Sequence, residues 1–402
     1  MSRRPLDGIR VLEIGQLLAG PWAGTLLGYF GADVIKVEPP GGDPIRTWRV
    51  LDDDGTSLWW RTLARNKRSI EIDLRRDAGR ALVRRLALAS DVLIENFRPG
   101  TMEKWELGPE TLRAENPRLV YVRISGFGQT GPHAHRPGYA SVAEAVAGLR
   151  SVTGHADRPP ARANLSLGDT LAGIHAALGA VMALYERDAG AEGSGQVVDV
   201  ALTEAVLGVL ESMIPEADRG VVRERAGSTI TGVVPSNTYP CAEGKWVVIG
   251  ANNESTFARL MEAIGRDDLA RDEGLRGNPA RVARQAELDA AIGAWTASRS
   301  ADDIERTLAA AEVPVGRIQD AGELLDDPQL RARGMFERVE INGRPLTIPA
   351  IAPKLDRTPG RTDWPGPELG AHTDEVLREL LGLSEPEIAA LRADRALGSH
   401  RT

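Results

Sequence analysis

Ile9-Arg-Val-Leu-Glu-Ile-Gly15, Pro21-Trp-Ala-Gly-Thr-Leu-Leu-Gly-Tyr-Phe30 and Ala32-Asp-Val-Ile-Lys-Val-Glu38 together decide the fold. The outer pieces are short and rich in β-branched residues, so they read as strands. The middle piece opens with Pro and reads as a helix. A strand, a helix and a strand within about thirty residues make a βαβ unit with parallel strands. Gly20, Gly24 and Gly28 recur every four residues and leave one helix face smooth enough for close approach. The alternation continues with a helix over 78–90, strands over 91–96, 119–125 and 196–202, and a helix over 203–213. An α/β fold with a mostly parallel sheet is expected.

The pattern breaks around 214–238. Charged residues in 215–225 give way to the turn-rich run Gly227-Ser-Thr-Ile-Thr-Gly-Val-Val-Pro-Ser-Asn237. Beyond it, 238–250 reads as a hairpin with Glu243-Gly244 at its turn, and 255–312 as mainly helical. The tail 322–402 returns to short elements separated by prolines.

The chain has 402 residues, 42% of them apolar and 26% charged, which is ordinary globular composition. Its net charge of −8 argues against non-specific nucleic-acid binding. Cys241 is the only cysteine, so no intrachain disulfide forms and a reducing, cytoplasmic location is expected. No signal-peptide core follows Met1, and the apolar run 171–185 is read as too short to span a bilayer.

Chemistry concentrates at Asn164-Leu-Ser-Leu-Gly-Asp-Thr-Leu-Ala-Gly173, where Asp169 stands at the mouth of a small-residue helix running to Tyr185. That helix is apolar on nearly every face and is expected to be buried. A carboxylate in its first turn is held as an anion by unpaired N–H groups and the helix dipole. Such a carboxylate suits covalent catalysis, and an Asp there also serves as an ordinary N-cap. Other signatures fail. Gly15-Gln-Leu-Leu-Ala-Gly20 lacks the second glycine of a dinucleotide fingerprint. His133 and His135 have no third metal ligand in sequence reach, and no G-x-S-x-G elbow occurs. Lys67-Arg68, Arg75-Arg76, Arg98 and Lys104 cluster at strand ends and loops, where cations hold a phosphate or form surface ion pairs.

The chain resembles the family III CoA-transferases, also called the carnitine-dehydratase and bile-acid-CoA-transferase family. The resemblance is carried by Pro5-Leu-Asp-Gly-Ile-Arg-Val-Leu-Glu13, Ala19-Gly-Pro21, Gly31-Ala-Asp-Val-Ile-Lys-Val-Glu38 and Asn66-Lys-Arg-Ser-Ile70. It continues through Glu95-Asn-Phe-Arg-Pro-Gly100, Gly126-Phe-Gly-Gln-Thr-Gly-Pro132, Arg136-Pro-Gly-Tyr139, Gly168-Asp169 and Gly370-Ala-His-Thr-Asp-Glu375. It implies a Rossmann-like large domain built from both termini, a small α+β domain, and an interlocked homodimer. Residues 1–213 would begin the large domain, 214–237 link, 238–321 form the small domain, and 322–402 complete the large one. By the same resemblance Asp169 is the catalytic aspartate. CoA contacts are implied at Leu18, Ala19, Ile72, Arg75 and Asn96, and at Phe97, Arg98, Lys104, Gly138 and Tyr139. Gln16 becomes a candidate oxyanion or substrate contact.

The implied reaction moves CoA from an acyl-CoA donor, succinyl-CoA as first choice, to a carboxylic acid. It passes through an aspartyl anhydride and an aspartyl-CoA thioester. The CoA thioester is a substrate, and no permanently bound cofactor, metal, nucleic acid or membrane is implied. Oxalate-type members carry Gln where this chain has Leu18, and their glycine run has no counterpart over 214–260. The family also contains α-methylacyl-CoA racemases, which place a His where this chain has Tyr139. A non-catalytic acyl-CoA binding protein is the remaining alternative.

Overall fold

The computed structural model describes residues 3–398. Within them the chain divides into two compact units, one made of residues up to Leu149, Ala163–Glu211 and Arg331 onward, the other of Arg150–Arg162 and Ser212–Leu330.

The first unit is built on β1 (Arg10–Glu13), α1 (Ala19–Tyr29), β2 (Asp33–Glu38), α2 (Leu58–Leu63) and β3 (Lys67–Glu71). It continues with α3 (Asp77–Leu88), β4 (Val92–Glu95), α4 (Thr101–Lys104), α5 (Pro109–Glu115) and β5 (Val120–Ser125). Then follow α6 (Ala140–Val146), α7 (Leu167–Ala189), β6 (Val197–Ala201) and α8 (Leu202–Leu207). The strands form one parallel sheet in the order β3-β2-β1-β4-β5-β6. That is the doubly wound dinucleotide-fold order, with its switch point between β1 and β4. Alternation along each strand shows why both faces are covered. Val11, Val34, Val92 and Val120 pack with Ala23 of α1 and Ala176 of α7. Leu12, Ile35, Leu93 and Tyr121 point the other way, onto Leu82 and Leu86 of α3 and Val376 and Leu377 of the helix Thr373–Leu381. The C-terminal segment thus closes the second face of the sheet.

Helix α7 departs from expectation in three ways. It begins at Leu167, with Ser166 as N-cap, so Asp169 is the third residue of the first turn and not the cap. It is buried along one side only. Gly173 faces α1 so closely that a Cβ there would lie 2.8 Å from the Ala19 carbonyl oxygen. The other side exposes Ile174 (44%), Leu178, Met182 (59%) and Tyr185 (75%), spaced as one helical face. At 23 residues α7 is also long and apolar enough to cross a membrane by length and composition, contrary to the sequence reading. Its small-residue side is instead packed on α1 and the sheet.

The second unit holds the hairpin β7 (Ser236–Pro240) and β8 (Trp246–Gly250), extended by β9 (Val315–Arg317). Glu243 and Gly244 turn the hairpin with φ of 72° and 70°. Helices Glu254–Ala263, Gln285–Ala297 and Ala301–Ala310 cover it around Leu260, Leu288 and Ile304. Its limits differ from those read in the sequence. Residues 214–237 belong to this unit and are no separate linker, and 150–162 join it as well. The cause is local: Gly227 N–H donates to the Gly154 carbonyl at 3.0 Å, and Arg225 donates to the carbonyls of His155 and Ala156, both at 3.1 Å. At the far limit, Lys245 pairs with Glu323 at 2.7 Å, keeping the helix Ala321–Asp326 in this unit.

Candidate active site

The loop leaving β1 turns sharply because Leu17 takes a φ of 63°, a left-handed conformation uncommon for a side-chain-bearing residue. Two partners hold it there. Both carboxylate oxygens of Asp43 lie 3.1 Å from the Leu17 N–H. The Asn96 side chain accepts from the Gln16 N–H and donates to the Gln16 carbonyl, each at 2.8 Å. Below them lies a buried charge cluster. Lys36 Nζ pairs with Asp43 at 2.9 Å and Glu13 at 3.1 Å, and donates to the Gly15 carbonyl. Burial opposes the Lys36 charge, but the facing Asp43 and Glu13 carboxylates outweigh it and raise its pKa. Lys67 pairs with Glu13 at 2.7 Å and donates to the Pro21 carbonyl, while burial pushes its pKa down to about 8. Removing one member would strand a buried charge. The loop is therefore fixed from beneath, and it delivers Gln16, Leu18 and the first N–H groups of α1 to the switch point.

The opposite side comes from β5. Gly126 and Gly138 let two loops touch, since a Cβ on Gly126 would lie 2.9 Å from the Gly138 Cα. The segment 133–139 is mostly exposed. Arg136 lies over the Phe127 ring at 5.4 Å, and Tyr139, 66% exposed, caps α6. The buried Glu144 of α6 accepts from the Gly168 N–H at 3.4 Å, which seats the first turn of α7 and with it Asp169.

These pieces enclose a cavity of ≈ 260 Å³ at the carboxyl ends of β1, β4 and β5. Asp169 lines it together with Gln16, Leu18, Ala19, Asn96, Phe97, Arg98, Gly138 and Tyr139. A second cavity of ≈ 240 Å³ lies beyond the ends of β2 and β3, lined by Pro40, Ile72, Arg75 and Trp105. Gln16 and Phe97 line both. Lys104 lines neither; it ends α4 beside Trp105. Arg75 forms a two-point contact with Asp73, at 2.8 and 2.9 Å.

Two groups of residues singled out in the sequence fall elsewhere. Lys67 and Arg68 are no phosphate site: both lie within β3, and Arg68 is held by Asp33 and Glu379 at 2.6 Å each. His133 and His135 line neither cavity. Sequence reading missed Asp43, Lys36 and Glu144, whose partners are distant in the chain, and it gave Arg136 no role. Glu95 was missed too. It accepts from the Phe97 N–H at 2.8 Å and from Arg123 at 2.9 Å. Burial pushes its carboxyl up to about 7, with Arg123 opposing.

Comparisons with known proteins agree over nearly the whole chain. The family described as CoA-transferase family III matches residues 6–373. The chain is 49% identical to succinyl-CoA–D-citramalate CoA-transferase of Chloroflexus aurantiacus over 397 residues, covering 98% of each. It is 38% identical to succinate–glutarate CoA-transferase of Agrobacterium fabrum, covering 94% of this chain and 96% of the other. The crystal structure of a CaiB/BaiF family protein from Brucella suis superposes with a TM-score of 0.83 at 36% identity, covering 94% of this chain and 100% of that one.

Proposed function

Because the chain belongs to CoA-transferase family III and is therefore a transferase enzyme acting on CoA thioesters, we propose that it moves CoA from succinyl-CoA to a second dicarboxylic acid. The observation that carries this reading is the placement of Asp169. It stands in the first turn of α7 and lines the same cavity as the N-terminus of α1. The similarity to enzymes named for succinyl-CoA, D-citramalate and glutarate supports a donor acyl group and an acceptor that both derive from dicarboxylic acids.

In this reading the Asp169 carboxylate attacks the thioester carbonyl of succinyl-CoA. A mixed anhydride forms and CoA leaves as the thiolate. The thiolate attacks the aspartyl carbonyl, giving an aspartyl-CoA thioester and releasing succinate. The acceptor carboxylate attacks that thioester, again expelling the thiolate and forming a second anhydride. The thiolate then takes the acceptor acyl group, and Asp169 returns as a carboxylate. Each tetrahedral intermediate carries an oxyanion, for which the N–H groups at the start of α1 and the Gln16 side chain are the nearby donors. The CoA chain runs past Phe97 and Gln16, with its nucleotide end in the second cavity near Ile72 and Arg75. The racemase alternative has less support, because Tyr139, and neither His133 nor His135, lines the cavity with Asp169.

The exposed apolar face of α7 supports a homodimer, whose interlocked form is part of the same proposal and is checked by sedimentation and crosslinking. The reading itself is tested by intact mass after incubation with succinyl-CoA. A covalent CoA adduct on the peptide containing Asp169, discharged by an acceptor acid, is expected. Tight succinyl-CoA binding with neither adduct nor turnover would make the chain a binding module.

A further inference from the structure

We propose that Arg136 is the specificity-determining residue for the acid, holding the distal carboxylate of the dicarboxylic acyl group while the proximal carbonyl meets Asp169; this rests on the transferase reading above. A transferase of dicarboxylic acids must place a second anion somewhere in the cavity with Asp169. Two arginines are among the residues that line that cavity, Arg98 and Arg136, and neither forms an ion pair among the described residues. Their places differ. Arg98 follows Phe97, the residue that also walls the second cavity, so it stands on the side assigned to the CoA chain. Arg136 comes from the loop after β5, and no residue of that loop contributes to the second cavity.

The packing of Arg136 suits a carboxylate receptor. Its guanidinium lies over the Phe127 ring, 5.4 Å from the centroid. An aromatic surface beneath a guanidinium steadies the plane and leaves the N–H fork free. That fork matches a carboxylate with two parallel hydrogen bonds, an arrangement a lysine ammonium does not reproduce. Phe127 itself touches the His133 ring edge-on at 6.0 Å, which backs the stack from the same loop. Residues 136 and 139 thus divide the work. Tyr139 caps α6 at the cavity wall, and Arg136 supplies the charge that tells a carboxylate from a methyl group.

The test compares succinyl-CoA with butyryl-CoA, which has a methyl group in place of the distal carboxylate. Wild type, Arg136→Gln and Arg136→Lys are assayed with each donor, and the affinity for free CoA is measured separately. Arg136→Gln should lower kcat/KM for succinyl-CoA about 100-fold, the loss expected for charge-assisted hydrogen bonds, and leave butyryl-CoA within about threefold. Arg136→Lys should recover part of the loss, and CoA affinity should not move. Equal losses with both donors, or a matching loss of CoA affinity, would show that Arg136 serves the CoA moiety and would overturn the proposal. A wild type that prefers butyryl-CoA would also overturn it while leaving the transferase reading in place. A wild type that moves CoA from neither donor would remove both.

Discussion

The loops Gly15–Ala19 and His133–Tyr139 both reach the cavity of Asp169, but the first is tied down from beneath and the second lies open. Under the first lie Glu13, Lys36, Asp43 and Lys67, all buried, and Asn96 clamps its backbone from the side. The second shows exposed His133, His135, Arg136 and Tyr139 to solvent. Buried charge is costly and is kept only where its partners are fixed, so the first wall suits chemistry that does not vary between substrates. An exposed wall can change its side chains at little cost in stability. In the proposed reading, the fixed wall serves the thioester and its oxyanion, and the open wall serves the acid.

The largest effect should come from the residue between the walls. Asp169→Ala removes the proposed nucleophile and should lower turnover by about 10⁴-fold or more. Since Asp169 is not the N-cap of α7, the fold should be unaffected, as read by circular dichroism and thermal unfolding. Near-normal turnover in the variant would exclude covalent catalysis there.

The fixed wall is challenged next by Asp43→Asn. This change keeps the shape but weakens the hold on the Leu17 N–H and leaves Lys36 with less opposing charge. A loop displaced by about 1 Å costs roughly 100-fold in rate, so kcat should fall about that much while CoA affinity changes little. Hydrogen exchange at the Gln16 and Leu17 amides should quicken in the same variant, and unchanged exchange would mean that the loop does not depend on Asp43.

The sheet was legible because its signal is local. Each strand but β3 carries its own β-branched run, and the turn before Pro21 marks the start of α1 to within two residues, whereas β3, with Ile70 as its one β-branched residue, was not read as a strand. Asp169 was legible as a first-turn carboxylate, though not as the third residue of a turn capped from Ser166. The fixed wall was hidden because it is assembled across the chain. Asp43 meets Leu17 from 26 positions away, and Asn96 meets Gln16 from 80. The basic pair Lys67-Arg68 misled for a related reason. Charges inside a strand look like surface charges until Glu13 and Asp33, distant in sequence, are known to face them. The half-exposed α7 escaped because apolarity all round predicts burial on every face, whereas one face is exposed.

The open wall yields a prediction of no effect. With 2-methylacyl-CoA in D₂O, the α-proton should not exchange at rates near turnover, because no imidazole among the described residues lines the cavity with Asp169. A transferase attacks only the carbonyl carbon. Rapid exchange without an acceptor acid, lost in His133→Ala or His135→Ala, would assign the open wall to proton transfer and make the chain a racemase.

Glu95 lies beneath Asn96 and Phe97, on the fixed side, and its replacement should leave turnover within about threefold while changing stability in a pH-dependent way. Its carboxyl is pushed up to about 7 by burial, against an ordinary value of 4.5, with the Arg123 guanidinium pulling the other way. Between those values the folded chain binds more protons at this site than the unfolded chain. Stability therefore falls as pH rises from about 4.5 to about 7. Glu95→Gln resembles the protonated form and cannot ionise, so it escapes that loss. Arg123 retains Glu103 at 2.7 Å, and the Phe97 N–H retains an amide oxygen to bond. Measured by urea unfolding, the variant should gain on the wild type by roughly 3 kcal/mol across this window and hold a constant difference above pH 7. A difference that does not change between pH 5 and 7 would mean that Glu95 stays ionised throughout, with Arg123 outweighing burial.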